Sequence, residues 1–209
     1  LIGRLSGENY GSDWEAIGYT SQDLVDAYRD AHPLIAGVDT GREYKGHKIR
    51  EGGMWKDMHR AFKAVVEGES NEEYVARCTF KRLGADVLTV LPSGRFVRYR
   101  DVRMEPIVPS WGGDPKDTIT YLTTRGYRSS LFASKIAQNC VQAVARDLLY
   151  FALANCRERG LKVAFHVHDE VICEGSVGEL LESCMTDLPS WAEGIPVEAE
   201  AEEYGCYRK

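Results

Sequence analysis

The segment His166-Val-His-Asp-Glu170 concentrates the chemistry of this chain. Leu161 to Phe165 and Val171 to Cys173 read as two strands of a hairpin around it. Alternation along the first strand puts His166 and His168 on one side and Val163, Phe165 and Val167 on the other. Asp169 and Glu170 then fall at the bend. Adjacent carboxylates at a hairpin tip repel each other unless a cation offsets them, and magnesium is the simplest such ion. An ordinary exposed acidic turn is the plain alternative. Two histidines at i, i+2 also suit zinc, but they need further ligands, and His32, His47 and His59 stand at no motif spacing.

A second set of polar groups lies just upstream. Leu131 to Arg159 reads as one long helix, because Ile136, Cys140, Val144, Leu148 and Phe151/Ala152 recur every three or four residues. On another face Lys135, Asn139, Gln142 and Arg146 share helical spacing, with Gln138 beside them. Such a row of long donors is either a solvated face or a surface that reads a polar ligand. Lys81, Arg82, Arg95, Arg98, Arg100 and Arg103 face only Asp86 and Asp101. That cluster suits phosphates, or a charged edge strand.

Other elements must position these groups. Ser21 opens a short helix that Pro33 closes, and Met54 to Val66 returns to helical spacing. Between them, Gly37 to Gly53 is basic with five glycines and reads as a mobile loop. Val87 to Leu91 and Phe96 to Val102 form a hairpin about Pro92-Ser-Gly94. Pro106 to Lys116 reads as a loop, Thr118 to Leu122 as a strand, Val177 to Trp191 as a helix, and Val197 to Ala201 as a last half-buried strand. The order predicts an α+β fold, an antiparallel sheet with helices packed on one face.

Composition sets the outer bounds. At 209 residues, 44% apolar and 28% charged, the chain can bury one substantial core or two small ones, and disordered or collagen-like classes are excluded. No apolar run is long enough to cross a bilayer. Six cysteines at least eleven residues apart form no tight framework, which points to reduced thiols in a cytosol. The net charge of −6 is uneven: residues 169–209 hold eleven acids against two bases, a net −9, which leaves +3 for the residues before them. The chain opens at Leu1 with no basic-then-apolar leader and reads as a fragment.

The residues also carry a resemblance. Gln142-Ala-Val-Ala-Arg-Asp-Leu-Leu149 followed by Val167-His-Asp-Glu-Val171 resembles the C-terminal part of family A DNA polymerases, more closely the phage and prophage branch. Leu91-Pro-Ser-Gly-Arg95 with Tyr99, Lys135 to Asn139 ahead of Gln142, and Tyr28 to Pro33 with Trp55 resemble that branch's pieces in the same order. The resemblance implies a partial right-hand polymerase fold, with residues 1–76 as fingers helices and 77–209 as an antiparallel palm sheet with packed helices. It implies nucleotidyl transfer from a deoxynucleoside triphosphate to a primer 3′ hydroxyl, with two magnesium ions in the complete enzyme. Asp169 matches the metal-binding catalytic carboxylate and Glu170 its acidic neighbour. His168, Gln142, Gln138 and Arg146 match positions that hold the primer-template duplex. Arg95 and Arg98 are further candidates for phosphate contacts. A bacterial cytoplasm, no membrane, and a partner segment bearing the remaining motifs complete the expectation.

Several departures bear on activity. A D-x-S-x-x-E motif and the fingers motif that grips the triphosphate are absent from these residues. Ala133-Ser134 stands where the branch has two glycines, and Gln138 where it has glutamate. The Gly37 to Gly53 stretch is longer than the branch has, and reads as a DNA-contacting loop or a disordered one. The chain alone is therefore expected not to polymerise. Two other readings are a non-catalytic prophage remnant or DNA-binding module, and a metal-dependent hydrolase using His166, His168 and Asp169.

Overall fold

The computed structural model describes residues 20–44, 47–108 and 112–206. Helix α1 (Ser21–Ala31) starts at Thr20, whose hydroxyl accepts from the Asp23 amide while the Asp23 carboxylate accepts from the Thr20 amide. This reciprocal cap satisfies two amides that the helix cannot. Pro33 opens a single turn, α2 (Pro33–Ala36).

The predicted loop is a hairpin instead, β1 (Val38–Tyr44) with β2 (His47–Glu51). Two of its glycines serve close approach: a Cβ on Gly53 would lie 2.3 Å from the Gly37 nitrogen, and one on Gly37 2.7 Å from the Glu51 carbonyl oxygen. Only glycine lets the hairpin base close this way. Two of its basic residues, Lys48 and Arg50, are held by carboxylates of the same region, whereas Arg42 stays exposed. Arg50, 6% exposed, pairs with Asp30 at 2.7 Å, and Lys48 reaches Asp30 and Asp39 at 3.0 and 3.3 Å. Residues 45 and 46 of that stretch lie outside the described residues.

Helix α3 (Met54–Glu67) buries Met58, Ala61, Phe62, Val65 and Val66 on one stripe. The stripe covers an antiparallel sheet of six strands in chain order: β3 (Glu72–Val75), β4 (Cys78–Leu83), β5 (Asp86–Val90), β6 (Phe96–Ile107), β7 (Lys116–Leu122) and β8 (Arg128–Leu131). Strands β3 and β4 are not expected from the sequence: β3 is a short exposed edge, and β4 buries only Cys78 and Phe80 among polar and charged neighbours. It ended β6 too early, at Val102, and began the loop at Pro106. Strand β6 pairs with β5 through Tyr99 and with β7 from Arg100 onward, and a bulge between Arg100 and Arg103 makes the exchange. Asp101 sits in that bulge with φ +45°. Arg128 holds it there, donating to the Asp101 carboxylate and carbonyl at 2.9 and 2.7 Å and to Glu105 at 3.1 Å. Residues 109–111 of the predicted Pro106 to Lys116 loop lie outside the described residues.

Helix α4 (Ala133–Glu158) joins two cores. Its first half buries Ile136, Ala137 and Cys140 against Phe62, Phe80, Val87, Tyr99 and Ile119. Helix α3 and the sheet thus share one core across residue 76. The second half of α4 buries Cys156 against Leu161 and Cys184. There it meets β9 (Lys162–Val167), β10 (Glu170–Glu174) and α5 (Gly178–Thr186). Strands β9 and β10 form a sheet of their own rather than joining the six-stranded one. The expected helix through Trp191 ends at Thr186, with a 3₁₀ turn at Ser190–Ala192. Val197 to Ala201 is not a strand. It alternates half-buried and exposed residues as predicted, but pairs with no strand among the described residues. A single bond from the Ala201 amide to Glu182 at 2.7 Å ties it to α5.

Candidate metal and nucleic-acid site

The β9–β10 hairpin closes through two residues, His168 and Asp169, between the paired Val167 and Glu170. Strand alternation therefore stops one residue before the second histidine, and His168 belongs to the turn rather than the strand. Its φ of +56° lies in the left-handed region, where a side chain costs energy. The turn presents Asp169 and Glu170 to solvent side by side. Asp169 has no hydrogen bond or ion pair with a described residue.

This tip offers a cation a partial set of oxygen ligands. Among the described residues no three His, Cys, Asp or Glu side chains gather as a metal site. A divalent ion at Asp169 would draw its remaining ligands from water, substrate or residues beyond the described ones. The trio His166, His168 and Asp169 is likewise not assembled for zinc, and the His166 ring instead meets Tyr150 edge-on, with centroids 6.3 Å apart.

That contact places the hairpin beside one face of α4. Tyr150 lies one turn beyond Arg146, and Arg146 one turn beyond Gln142, so the three share a stripe. Arg146 donates to the Tyr150 hydroxyl at 3.2 Å, and its guanidinium carbon lies 5.2 Å from that ring's centroid. Gln138, Gln142 and Arg146 are all exposed along the stripe. The other two members of the predicted donor row are absorbed by the fold. Asn139 donates to the buried Tyr99 hydroxyl at 2.9 Å, and Lys135 to Ser129 at 3.3 Å.

The basic cluster resolves mostly into internal pairs. Arg98 is bound by Asp86, Arg103 by Asp101, and Lys81 by Glu72. Arg82 donates to the carbonyls of Val65 and Val66 at the end of α3. Arg95 donates to Asp147 at 2.5 Å and to the Ala143 carbonyl at 2.9 Å, while Ser93 donates to the other Asp147 oxygen at 2.5 Å. The Leu91 to Arg95 turn is thereby clamped onto α4. Neither Arg95 nor Arg98 is a spare cation, and a phosphate at either would compete with a carboxylate already in place. Arg82 and Arg100 are the two of the six without an ion pair among the described residues, and Arg82 is held by carbonyls instead.

The electrostatics follow these partners. The Asp101 amide, and after it the Arg98 guanidinium, holds the Asp86 carboxyl below the usual range, and Arg103 does the same for Asp101. Burial pushes the Tyr99 hydroxyl up and keeps it neutral, against the opposing bond from Asn139. Sequence reading passed over Asp147 and Tyr150. Tyr150 was detectable at i+4 from Arg146, whereas the Asp147 clamp depends on a turn about fifty residues away. No described helix is long and apolar enough to cross a membrane.

No family model matches the chain. No solved structure matches it. Among curated proteins it is similar to a DNA polymerase of Bacillus phage SP02, with 28% identity over 164 residues that cover 75% of this chain and 25% of that polymerase. The chain therefore spans about a quarter of the length of the curated relative it matches. This likeness supports a DNA polymerase relationship for the chain.

Proposed function

We propose that the chain is part of the palm and fingers of a phage-type family A DNA polymerase and contributes to template-directed nucleotidyl transfer. One observation carries the reading: in a chain similar to a phage DNA polymerase, a carboxylate with no partner among the described residues, Asp169, stands on a hairpin whose His166 meets Tyr150, at the end of the α4 stripe that bears Gln142 and Arg146. Duplex DNA lies along that stripe. Gln138 and Gln142 meet the minor groove, whose acceptors vary little between base pairs, so they sense geometry without reading sequence. His168, with donors at a tight turn, steadies the terminal primer phosphate. Asp169, with Glu170 beside it, holds a divalent ion; such an ion, when bound, activates the primer hydroxyl and stabilises charge on the incoming phosphates. The partial ligand set requires a second carboxylate from outside the described residues.

On this reading residues 1–76 belong to fingers and 77–209 to palm, and the polymerase works on primed DNA in a bacterial cytoplasm. The 209 residues alone add no nucleotide. A longer polypeptide of the same reading frame extends a primed template with magnesium, and Asp169→Asn lowers its rate roughly a thousandfold. Unchanged extension by the Asp169→Asn protein contradicts the assignment. The same partial ligand set favours a second reading, a non-catalytic DNA-binding module; in that case the longer protein binds primed DNA and extends nothing.

A further inference from the structure

Beside the Gln142 stripe, where the Leu91–Arg95 turn meets α4, lies a cleft of about 610 Å³ that the chemistry proposed at Asp169 does not use. Tyr150, Phe151 and Trp191 supply its aromatic walls, and Arg95, Arg146 and Asp147 its charges. Arg95 and Asp147 neutralise each other through their ion pair. Arg146 is left as the uncompensated charge, exposed and held against Tyr150.

Three aromatic side chains around one guanidinium suit a ligand with a planar π-face and an anionic end. The cleft is open to solvent, so it can cover one face of a base and leave the rest of a strand outside. Bases stack on aromatic side chains whatever their sequence, and a guanidinium pairs with a phosphate through two parallel hydrogen bonds. We propose that this cleft binds an unpaired nucleotide, with its base stacked among the aromatic walls and its 5′-phosphate at Arg146. The cleft begins one helical turn beyond Gln142, so a strand lying along the stripe can lodge an unpaired residue there. The inference deepens the proposed DNA contact, but it depends on neither Asp169 nor catalysis.

Trp191 is one of four tryptophans, so its signal can be isolated by difference. The test is titration of the 209-residue chain with deoxyadenosine 5′-monophosphate, without divalent metal, followed by tryptophan fluorescence and calorimetry. Saturable quenching is expected, and it should vanish in Trp191→Phe. Arg146→Ala should weaken binding about tenfold and Trp191→Ala between about five- and a hundredfold. Deoxyadenosine lacking the phosphate should bind wild type and Arg146→Ala alike. Absence of saturable binding in the folded chain, quenching retained in Trp191→Phe, or equal affinity for Arg146→Ala overturns the proposal. If Trp191→Ala fails to fold by circular dichroism, Arg146→Ala, on an exposed position, still decides. Asp169→Asn keeps nucleotide binding, so failure of the cleft and failure of the polymerase reading are separate results.

Discussion

The Tyr150 ring on α4 meets the His166 ring on β9 edge-to-face, with centroids 6.3 Å apart and planes at 65°. This contact ties the hairpin that carries the acidic turn to the far end of the α4 stripe, while β9 and β10 form a sheet of their own apart from the six-stranded one. An aromatic pair of this geometry is worth about 0.5–1.5 kcal/mol beyond burial. A double-mutant cycle of Tyr150→Ala and His166→Ala in urea unfolding should return a coupling in that range. Additive losses would mean that the hairpin is positioned otherwise.

The Asp147 carboxylate, 9% exposed, takes both the Ser93 hydroxyl and the Arg95 guanidinium. Removing it strands a charged donor at a half-buried contact. Asp147→Ala should cost about 1–3 kcal/mol in chemical denaturation, and Arg95→Ala added to it should cost little more. Fully additive costs would show that the two residues act independently.

Tyr99 anchors the larger core, edge-on to both Phe62 and Tyr121 at 5.3 Å, with Asn139 as its hydroxyl's partner. Asn139→Leu leaves that buried hydroxyl unpaired and should destabilise by about 1–3 kcal/mol, whereas Tyr99→Phe combined with it should recover part of the loss. A double variant as unstable as the sum of the singles would rule out the bond as the cause.

These contacts mark how far the residues alone could be read. Long periodic elements were legible: α3, α4 and the β5–β6 hairpin fall where apolar spacing puts them, because burial of one face dictates both spacing and structure. The glycine-rich stretch was misread, since glycines that permit close approach look the same in sequence as glycines that confer mobility. Asn139 and Arg95 were misread for a different cause. Each is a polar residue at an exposed-looking spacing whose partner, Tyr99 or Asp147, lies some forty to fifty positions away. The acidic hairpin is legible from local sequence but one residue out of place: the loop is His168–Asp169, with Glu170 already in β10, because strand alternation alone does not show that His168 turns into the left-handed region.

His59 gives the folded chain a pH signature. Burial, and secondarily the Lys63 charge, holds its imidazole below the ordinary 6.5. Below that pH the unfolded chain takes up a proton that the folded chain refuses, so stability should fall as pH drops from about 6.5 toward the folded value. His59→Gln should flatten this limb. Asp86, Asp101 and Glu105, held below 3.8, 3.8 and 4.5, stabilise the fold above those values. Their contribution is lost as pH falls through the lower folded values, so a steeper acid limb should persist in His59→Gln. Melting temperatures from pH 8 to 3 separate the two limbs; an unchanged upper limb in the variant contradicts the assignment to His59.

On the proposed function, Asp169 holds a divalent ion beside DNA lying along α4. Amide NMR of the chain with trace manganese and a primed duplex tests it most directly. Asp169 and Glu170 should broaden before the acidic residues 174–203, Gln138 and Gln142 should shift with DNA, and Asp169→Asn should lose the broadening but keep the shifts. Manganese broadening centred on 174–203, or duplex shifts confined to the β3 edge of the sheet, would contradict it.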